Sequence, residues 1–437
     1  MAVHLAPMVR GSELAMRMMV RKHGIQTCYS PMIRAKNVID AHTHWKKHPG
    51  CGTSIDTNTN TNATNLHEDA ILILKDTCPE DHPLIIQLCG NCPMELGSAT
   101  TALLEIFEEL HDSQPIHGID LNLGCPQKCA EIGKFGAYLA ERDPDRAVLC
   151  LSAMNTAIIE FEATRSLTHP IPRLSCKIRL LETDEQTISF ARTLQTKAGI
   201  DSLTVHCRRR EAKHNGAPDY DAGKRIVEAL DIPVVVNGGI HSRENARMAI
   251  ERTGASAVMA ATGLLENPCL FEEADAGDES SKPVGVSFQP TTTNHHLDPA
   301  WIAAEYLDFC TRYPPPSALY LQKHLRWMFR SKLQPQQGMN VNGSSSSMSI
   351  SKRKFGAVDF TDWKPRLWTF LVRPYLETIE QYQQIVLLYL KHCHRDAGGN
   401  TSTLSIPPSL QDLAARFPDP TFKFIRHGNL KNENCLE

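Results

Sequence analysis

At 437 residues the chain has room for one large α/β domain and a smaller one. Hydrophobic residues make up 41% and charged residues 22%, the balance of a soluble globular protein, and no apolar run approaches the ~18 residues of a membrane span. The 14 scattered cysteines, with no apolar leader at the start, read as reduced cytosolic thiols, and a net charge of −3 gives no overall signature of a nucleic-acid binder.

Val3–Pro7 predicts a short strand. Ser12–His23 predicts a helix from the spacing of Leu14, Met18 and Met19, closing at Gly24, and Gln26–Met32 a second strand. Residues 42–68, which contain TSIDTNTNTNATN, have no periodic apolar face and predict a disordered insertion. Leu84–Cys89 predicts a strand and Glu95–Leu110 a helix. The apolar run Ile116–Leu123 predicts a buried strand that stops abruptly at Gly124-Cys125-Pro126, with helical material through Met154. Strands follow at Leu174–Ile178, Asp201–His206, Ile232–Asn237 and Ser256–Ala261. They alternate with helices at Glu185–Ala198, Asp221–Leu230 and Arg243–Arg252. Eight β-then-α units without an opening G-x-G-x-x-G predict a closed (β/α)8 TIM barrel over residues 1–272. A polar linker at 273–297 leads to a smaller helical domain at 298–395, helical at Pro299–Arg330 and Asp362–His394 around a disordered insertion at 333–354. Residues 396–437 read as an unfolded tail.

Charge is unevenly distributed. Residues 298–395 hold 13 Lys and Arg against 7 Asp and Glu, a positive surplus on an otherwise acidic chain. That is a polyanion footprint or a solvated helix face.

In such a barrel the chemistry lies where the strands end. Those ends carry Pro7-Met8, Gln87, Asn122 with Cys125, Lys177, His206, Asn237-Gly238-Gly239 and Thr262-Gly263. Taken singly, each has an ordinary structural explanation; together on one face they describe a site. Glycines after the last two strands let backbone N–H groups approach phosphate oxygens closely. Cys89 and Cys92, and Cys125 and Cys129, have metal-like spacing, but zinc needs a second matching pair and none is present, so no metal is expected.

The segments LAPMVRGSELAMR, YSPMI, DLNLGCPQ, CKIRL, VHCRRRE, IPVVVNGGI and VMAATGLLENPCLF resemble the tRNA dihydrouridine synthases, flavin enzymes that reduce uridine in tRNA. The resemblance covers residues 3–272 outside the insertion, and DLNLGCPQ followed by IGKFGAYL looks most like the eukaryotic branch acting on uridines 16 and 17. It implies FMN contacts from Pro7, Met8, Gln87, Lys177, His206, Asn237, Gly238 and Gly239, a phosphate end near Ala261 and Thr262, and Cys125 as the catalytic acid. It also implies NADPH or NADH as reductant, a tRNA partner, a monomer, and a cytoplasmic or nuclear location. Cys207, Arg209, Gly239 and Thr262 depart from the family pattern.

On this reading Cys125 donates a proton to C5 of uracil while the flavin delivers a hydride to C6, and a free thiol is protonated at neutral pH. Lys177 offsets negative charge and Asn122 holds the uracil edge. The base must leave the tRNA stack, so phosphate clamps are expected from Arg179, Arg208, Arg210, Lys323, Arg326 and Arg330. Two other readings stand beside this one. A small-molecule FMN oxidoreductase of the dihydroorotate dehydrogenase type needs no basic appendix, and a catalytically inactive tRNA binder needs no Cys125, Lys177 and His206.

Overall fold

Nine strands, each parallel to its neighbours, build the sheet of this computed structural model. The structure describes residues 1–47, 76–110, 116–164, 172–272, 298–333, 378–396 and 404–416, with Lys364, Leu367, Trp368 and Leu371. These fall in two compact units, Met1–Val286 and Ser287–Glu437.

The strands of the first unit are β1 (Val3–Leu5), β2 (Thr27–Tyr29), β3 (Ile33–Arg34), β4 (Leu84–Cys89) and β5 (Gly118–Leu123). Then come β6 (Arg173–Leu180), β7 (Ser202–Arg209), β8 (Val234–Asn237) and β9 (Ala257–Ala260). β1 pairs with both β2 and β9, and β2 pairs with β4, so eight strands close into a ring with β3 attached to the end of β4. This is the (β/α)8 barrel that the alternation predicts. Its strands are buried on both faces, which is why they read as near-continuous apolar runs. Inside the ring Tyr29, Ile85, Val235, Ala257 and Met259 pack together, one pleat below the polar residues that follow them.

Several boundaries differ from the sequence expectation, each for a local reason. The expected strand Gln26–Met32 divides around Pro31 into β2 and β3, because proline cannot donate to a ladder. The expected insertion at 42–68 does not begin at 42. A helix runs through Ala35–Lys47, burying Val38, Ala41 and Trp45 on one face, while His42 and Lys46 pair with Glu105. The rest of that stretch, the linker at 273–297 and residues 334–354 lie outside the described residues. The helix expected over Glu185–Ala198 is α-helical at Asp184–Thr193 and finishes in a π turn, Leu194–Ala198, before Gly199 at φ 69°.

A buried ion cluster ties Leu14–Lys22 to the chain entering β4. Arg17, 1% exposed, reaches Asp76 at 3.1 Å and Asp81 at 2.7 Å, and Arg21 reaches Asp81 at 2.9 Å. The Leu14 N–H donates to Asp76 at 2.9 Å.

In the second unit the helix expected over Pro299–Arg330 is two, Pro299–Arg312 and Ala318–Met328, parted at Pro314-Pro315-Pro316. They pack with Ile379–Asp396, Tyr306 lying against His324 at 4.5 Å between ring centroids. The expected tail is ordered in part, with a short turn at Pro408–Leu410 and a helix at Gln411–Arg416 that bury Leu410 and Leu413.

Candidate active site

Parallel register places the polar residues in rows across the C-terminal half of the barrel. Gln87 lies opposite Asp120 and Asp120 opposite Ser175; Asn122 lies opposite Lys177, and His206 opposite Asn237. Side chains on one face recur every second residue, so Asp120 and Asn122, Ser175 and Lys177, Thr204 and His206 share the interior.

Hydrogen bonds join these rows. Ser175 Oγ donates to Asp120 at 2.7 Å, and Gln87 Nε2 donates to the other carboxylate oxygen at 2.8 Å. Asn122 Nδ2 donates to Gln87 Oε1 at 2.8 Å, and Asn122 Oδ1 accepts the backbone N–H of Gly124 at 3.2 Å and of Cys125 at 2.9 Å. Across the barrel Lys177 Nζ donates to Asn237 Oδ1 at 2.9 Å, and Asn237 Nδ2 to the Met259 carbonyl at 2.7 Å.

The turn carrying Cys125 is gripped from a second side. Arg179 Nε donates to the Gly124 carbonyl at 2.8 Å and its Nη1 to the Lys213 carbonyl at 2.8 Å. Gly136, at φ 64°, brings its Cα so close that an added Cβ would sit 2.9 Å from the Cys125 carbonyl oxygen. Only glycine fits there. The thiol is half-buried against Cys89, Ala130, Phe135 and Tyr138. Burial raises its pKa above the ordinary thiol value, with Arg179 opposing, so Cys125 is protonated at neutral pH.

The mouth is electropositive. Burial, and then the Arg179 charge, pull Lys177 down to about 7, with Asp120 opposing. Burial and the Lys177, Arg179 and Arg208 charges hold His206 well below its usual value, so its ring is neutral. Arg208 Nη1 lies 3.2 Å from His206 Nε2; a guanidinium only donates, so Nε2 is the acceptor and the ring proton is on Nδ1. Burial raises Asp120 to about 6, with its Gln87 and Ser175 hydrogen bonds and Lys177 opposing.

After β8, Gly238 and Gly239 take φ 118° and 74°. A Cβ at Gly238 would lie 3.0 Å from the His206 ring, and one at Gly239 3.0 Å from Pro218. Tyr220 holds this turn by donating to the Gly238 carbonyl at 2.6 Å. Pro7 and Met8 follow β1, Met8 packing on the barrel interior with its N–H bonded to Ser12 Oγ at 3.0 Å. Ala261 packs on the same interior cluster, and Thr262 opens the short helix Thr262–Glu266 after β9.

Not every expected site residue is available. Arg179 is 3% exposed and committed to carbonyl groups, so it is a tether of the Cys125 turn and not a free phosphate clamp. Arg210 is drawn to Glu141 at 2.7 Å and Glu211 at 2.5 Å, with its guanidinium over the Tyr138 ring. Arg208 is divided between His206 and the Gly216 carbonyl. Lys323 and Arg326 are in the second unit on Ala318–Met328, Arg326 exposed and 6.0 Å from the Trp368 ring centroid. Of the departures, Cys207 faces Gly223 on the outer helix, and Arg209 turns to the Glu182 carbonyl and Asp184, so both point away from the mouth.

Asp120 and Ser175 escaped the sequence reading. A charged residue two before Asn122 in an apolar run, and a serine two before Lys177, mark the same interior face one pleat deeper.

Residues 4–305 match the dihydrouridine synthase family. A rat protein named tRNA-dihydrouridine(16/17) synthase NAD(P)(+)-like is 33% identical over 337 residues, 76% of this chain and 61% of that protein. The Schizosaccharomyces pombe tRNA-dihydrouridine(16/17) synthase is 31% identical over 61% of this chain and 56% of its own length. A mouse tRNA-dihydrouridine(20a/20b) synthase-like protein is 32% identical over 61% of this chain and 68% of its own. The chain spans about three fifths of the length of the first two relatives. With a family match across the closed barrel and into the first helix of the second unit, the chain belongs to the dihydrouridine synthase family.

Proposed function

We propose that the protein is an FMN-dependent tRNA-dihydrouridine synthase that reduces the C5=C6 bond of D-loop uridines, at positions 16 and 17, with NAD(P)H as reductant. The observation that carries the reading is the mouth itself. A protonated half-buried thiol, a uracil-compatible amide and a lysine held at about 7 by burial and neighbouring positive charge converge at the strand ends.

The residues fit the cofactor. Lys177, Arg179 and Arg208 form a positive field around the neutral His206 that an anionic ligand would relieve, and the paired glycines at positive φ leave backbone open where a side chain would collide with His206 or Pro218. Gln87, Lys177, His206 and Asn237 would hold the ring system, and the backbone at Pro7, Met8, Gly238, Gly239, Ala261 and Thr262 its edges and phosphate. When bound, FMN supplies the hydride, which no side chain can.

The chain supplies the rest. Asn122 would present the uracil edge to the ring, and Cys125 would donate a proton to C5. Lys177, against the ring system, would offset the negative charge of the reduced cofactor. His206, neutral and donating only from Nδ1, would add polarity without adding a second acid.

Positive charge in residues 298–395 supports tRNA as the partner, with Lys323, Arg326 and Arg330 as phosphate contacts. The longer match to the rat relative named for 16/17, 76% of this chain against 61% for the mouse relative named for 20a/20b, supports positions 16 and 17. The proposed site of action is the cytoplasm or nucleus, with the tRNA; among the described residues no helix is long and apolar enough to cross a membrane.

Cys125→Ala tests the assignment. FMN content and reduction by NADPH should be kept, while reoxidation of the reduced flavin by unmodified tRNA slows by roughly 10²–10⁴-fold, the contribution of a general acid. Reoxidation at the parental rate would remove Cys125 as the acid.

A further inference from the structure

We infer that Asp120 is a positioning residue that fixes the donor-to-acceptor direction of the amide chain Gln87–Asn122 and so the turn that presents Cys125. The inference rests on the proposed role of Cys125 only for its consequence; the chain itself is read from geometry.

Asp120 has no exposed surface, and each of its carboxylate oxygens accepts one hydrogen bond, from Ser175 and from Gln87. An ionised carboxylate only accepts. Gln87, equally buried, must therefore turn its amino group toward Asp120 and its oxygen toward Asn122. Asn122 must in turn present its amino group to Gln87, which leaves its oxygen for the N–H groups of Gly124 and Cys125. A primary amide has two nearly isosteric ends, and nothing in its shape selects one. Here Asp120, which only accepts, and the two backbone N–H groups of the turn, which only donate, select the same direction from opposite ends of the chain. Reversing either amide would set like atoms against each other in a buried place, where an unpaired donor or acceptor is costly.

Packing does not explain the charge. A buried carboxylate is expensive to desolvate, and a neutral side chain of similar size would fill the same space. Burial does raise its pKa, to about 6, which still leaves it ionised at neutral pH. What only a charge provides is an acceptor at both ends, hence a direction.

The test is Asp120→Asn in the full chain, read by hydrogen exchange. Asparagine keeps the size and can bond either way round, so the direction is no longer enforced from the buried end and the turn alone must hold it. The expected result is a melting temperature within a few degrees of the parent and exchange at least tenfold faster in the peptide containing Gly124 and Cys125. The outer strands should keep their protection. Loss of folding, a general loss of protection, or unchanged exchange at that peptide would each overturn the inference, the first two by showing a merely structural carboxylate.

A second variant checks the direction. Asn122→Asp places another acceptor against Gln87 Oε1 and should destabilise the protein. Adding Asp120→Asn should rescue it, because Gln87 can then turn round and donate to the introduced carboxylate. Rescue that persists with Gln87→Leu, where the chain is cut, would show only repulsion between two carboxylates and overturn the inference. Neither readout needs tRNA or turnover, so failure of the proposed function would leave these results intact, and their failure would leave that function open.

Discussion

Arg179→Met isolates the tether on the Cys125 turn. The side chain is of similar length, stays buried and loses its two short hydrogen bonds from a charged donor, to Gly124 and Lys213, each 2.8 Å, with a longer one to Arg209 at 3.4 Å. Bonds of that kind contribute about 1.5–3 kcal/mol each, so about 3–6 kcal/mol of attachment goes. Against this, burial and the Arg208 charge pull the Arg179 pKa down to about 10, an unfavourable environment of about 3 kcal/mol at 1.36 kcal/mol per pKa unit. The two terms nearly cancel. Global stability should fall by about 0–3 kcal/mol, or up to ~12 °C in melting temperature for a unit of this size. The local consequence is larger, because the Gly124 carbonyl loses its partner. Removing a positive charge should also let the Lys177 pKa rise from about 7. Flavin reoxidation by tRNA should therefore drop by 10-fold or more, with the tRNA dissociation constant and its salt slope unchanged. The opposite pattern, full reoxidation with weaker and less salt-dependent binding, would make Arg179 a phosphate contact and refute the tether.

Arg17→Met should cost about 3–5 kcal/mol, because it strands Asp76 in the interior and leaves Asp81 to Arg21 alone. Asp76 has a folded pKa of about 7, raised by burial above its unfolded value, so the folded state favours the protonated carboxyl. Without Arg17 that pKa climbs further, and the loss should be greatest near pH 8 and smaller near pH 5; equal losses by denaturant titration at both would refute the sign. Gly136→Ala, at φ 64° with Cys125 backbone 2.9 Å away, should cost at least ~1–3 kcal/mol in thermal melts and slow reoxidation by tRNA. An alanine variant as stable and as active as the parent would mean the turn relaxes freely. Lys177→Ala should lower FMN content and turnover well before it weakens tRNA binding in a filter assay. Equal losses would move Lys177 from the cofactor to the RNA surface.

The strand ends were legible because a parallel barrel strand is an unbroken apolar run, and a polar residue or glycine at its close stands out. Leu84–Cys89 is delimited identically in sequence and structure for that reason. The interior row beneath was not legible: Asp120 and Ser175 lie inside runs whose outward and inward faces are both buried, so period two leaves no contrast in polarity. Arg179 misled for a related reason. A guanidinium near a site reads as a phosphate contact until the carbonyl groups it serves, 55 and 34 residues away, are brought beside it. The helix Ala35–Lys47 was hidden by His42, Thr43 and His44 on its outer side, although Val38, Ala41 and Trp45 keep a buried stripe. Pro314–Pro316, in contrast, declares its break in the sequence, and only the expectation of a single long helix passed over it.

The ion cluster at Arg17 has a bearing on how this chain can vary. Residues 48–75 leave from a helix packed on Pro93–Leu110 and return at Asp76, which Arg17 and the Leu14 N–H hold in place. Lys47 and Asp76 are thus each held by contacts with the barrel. Changes at Arg17, Asp76 and Asp81 would therefore be felt together, because removing one charge leaves a buried partner short of its counter-charge.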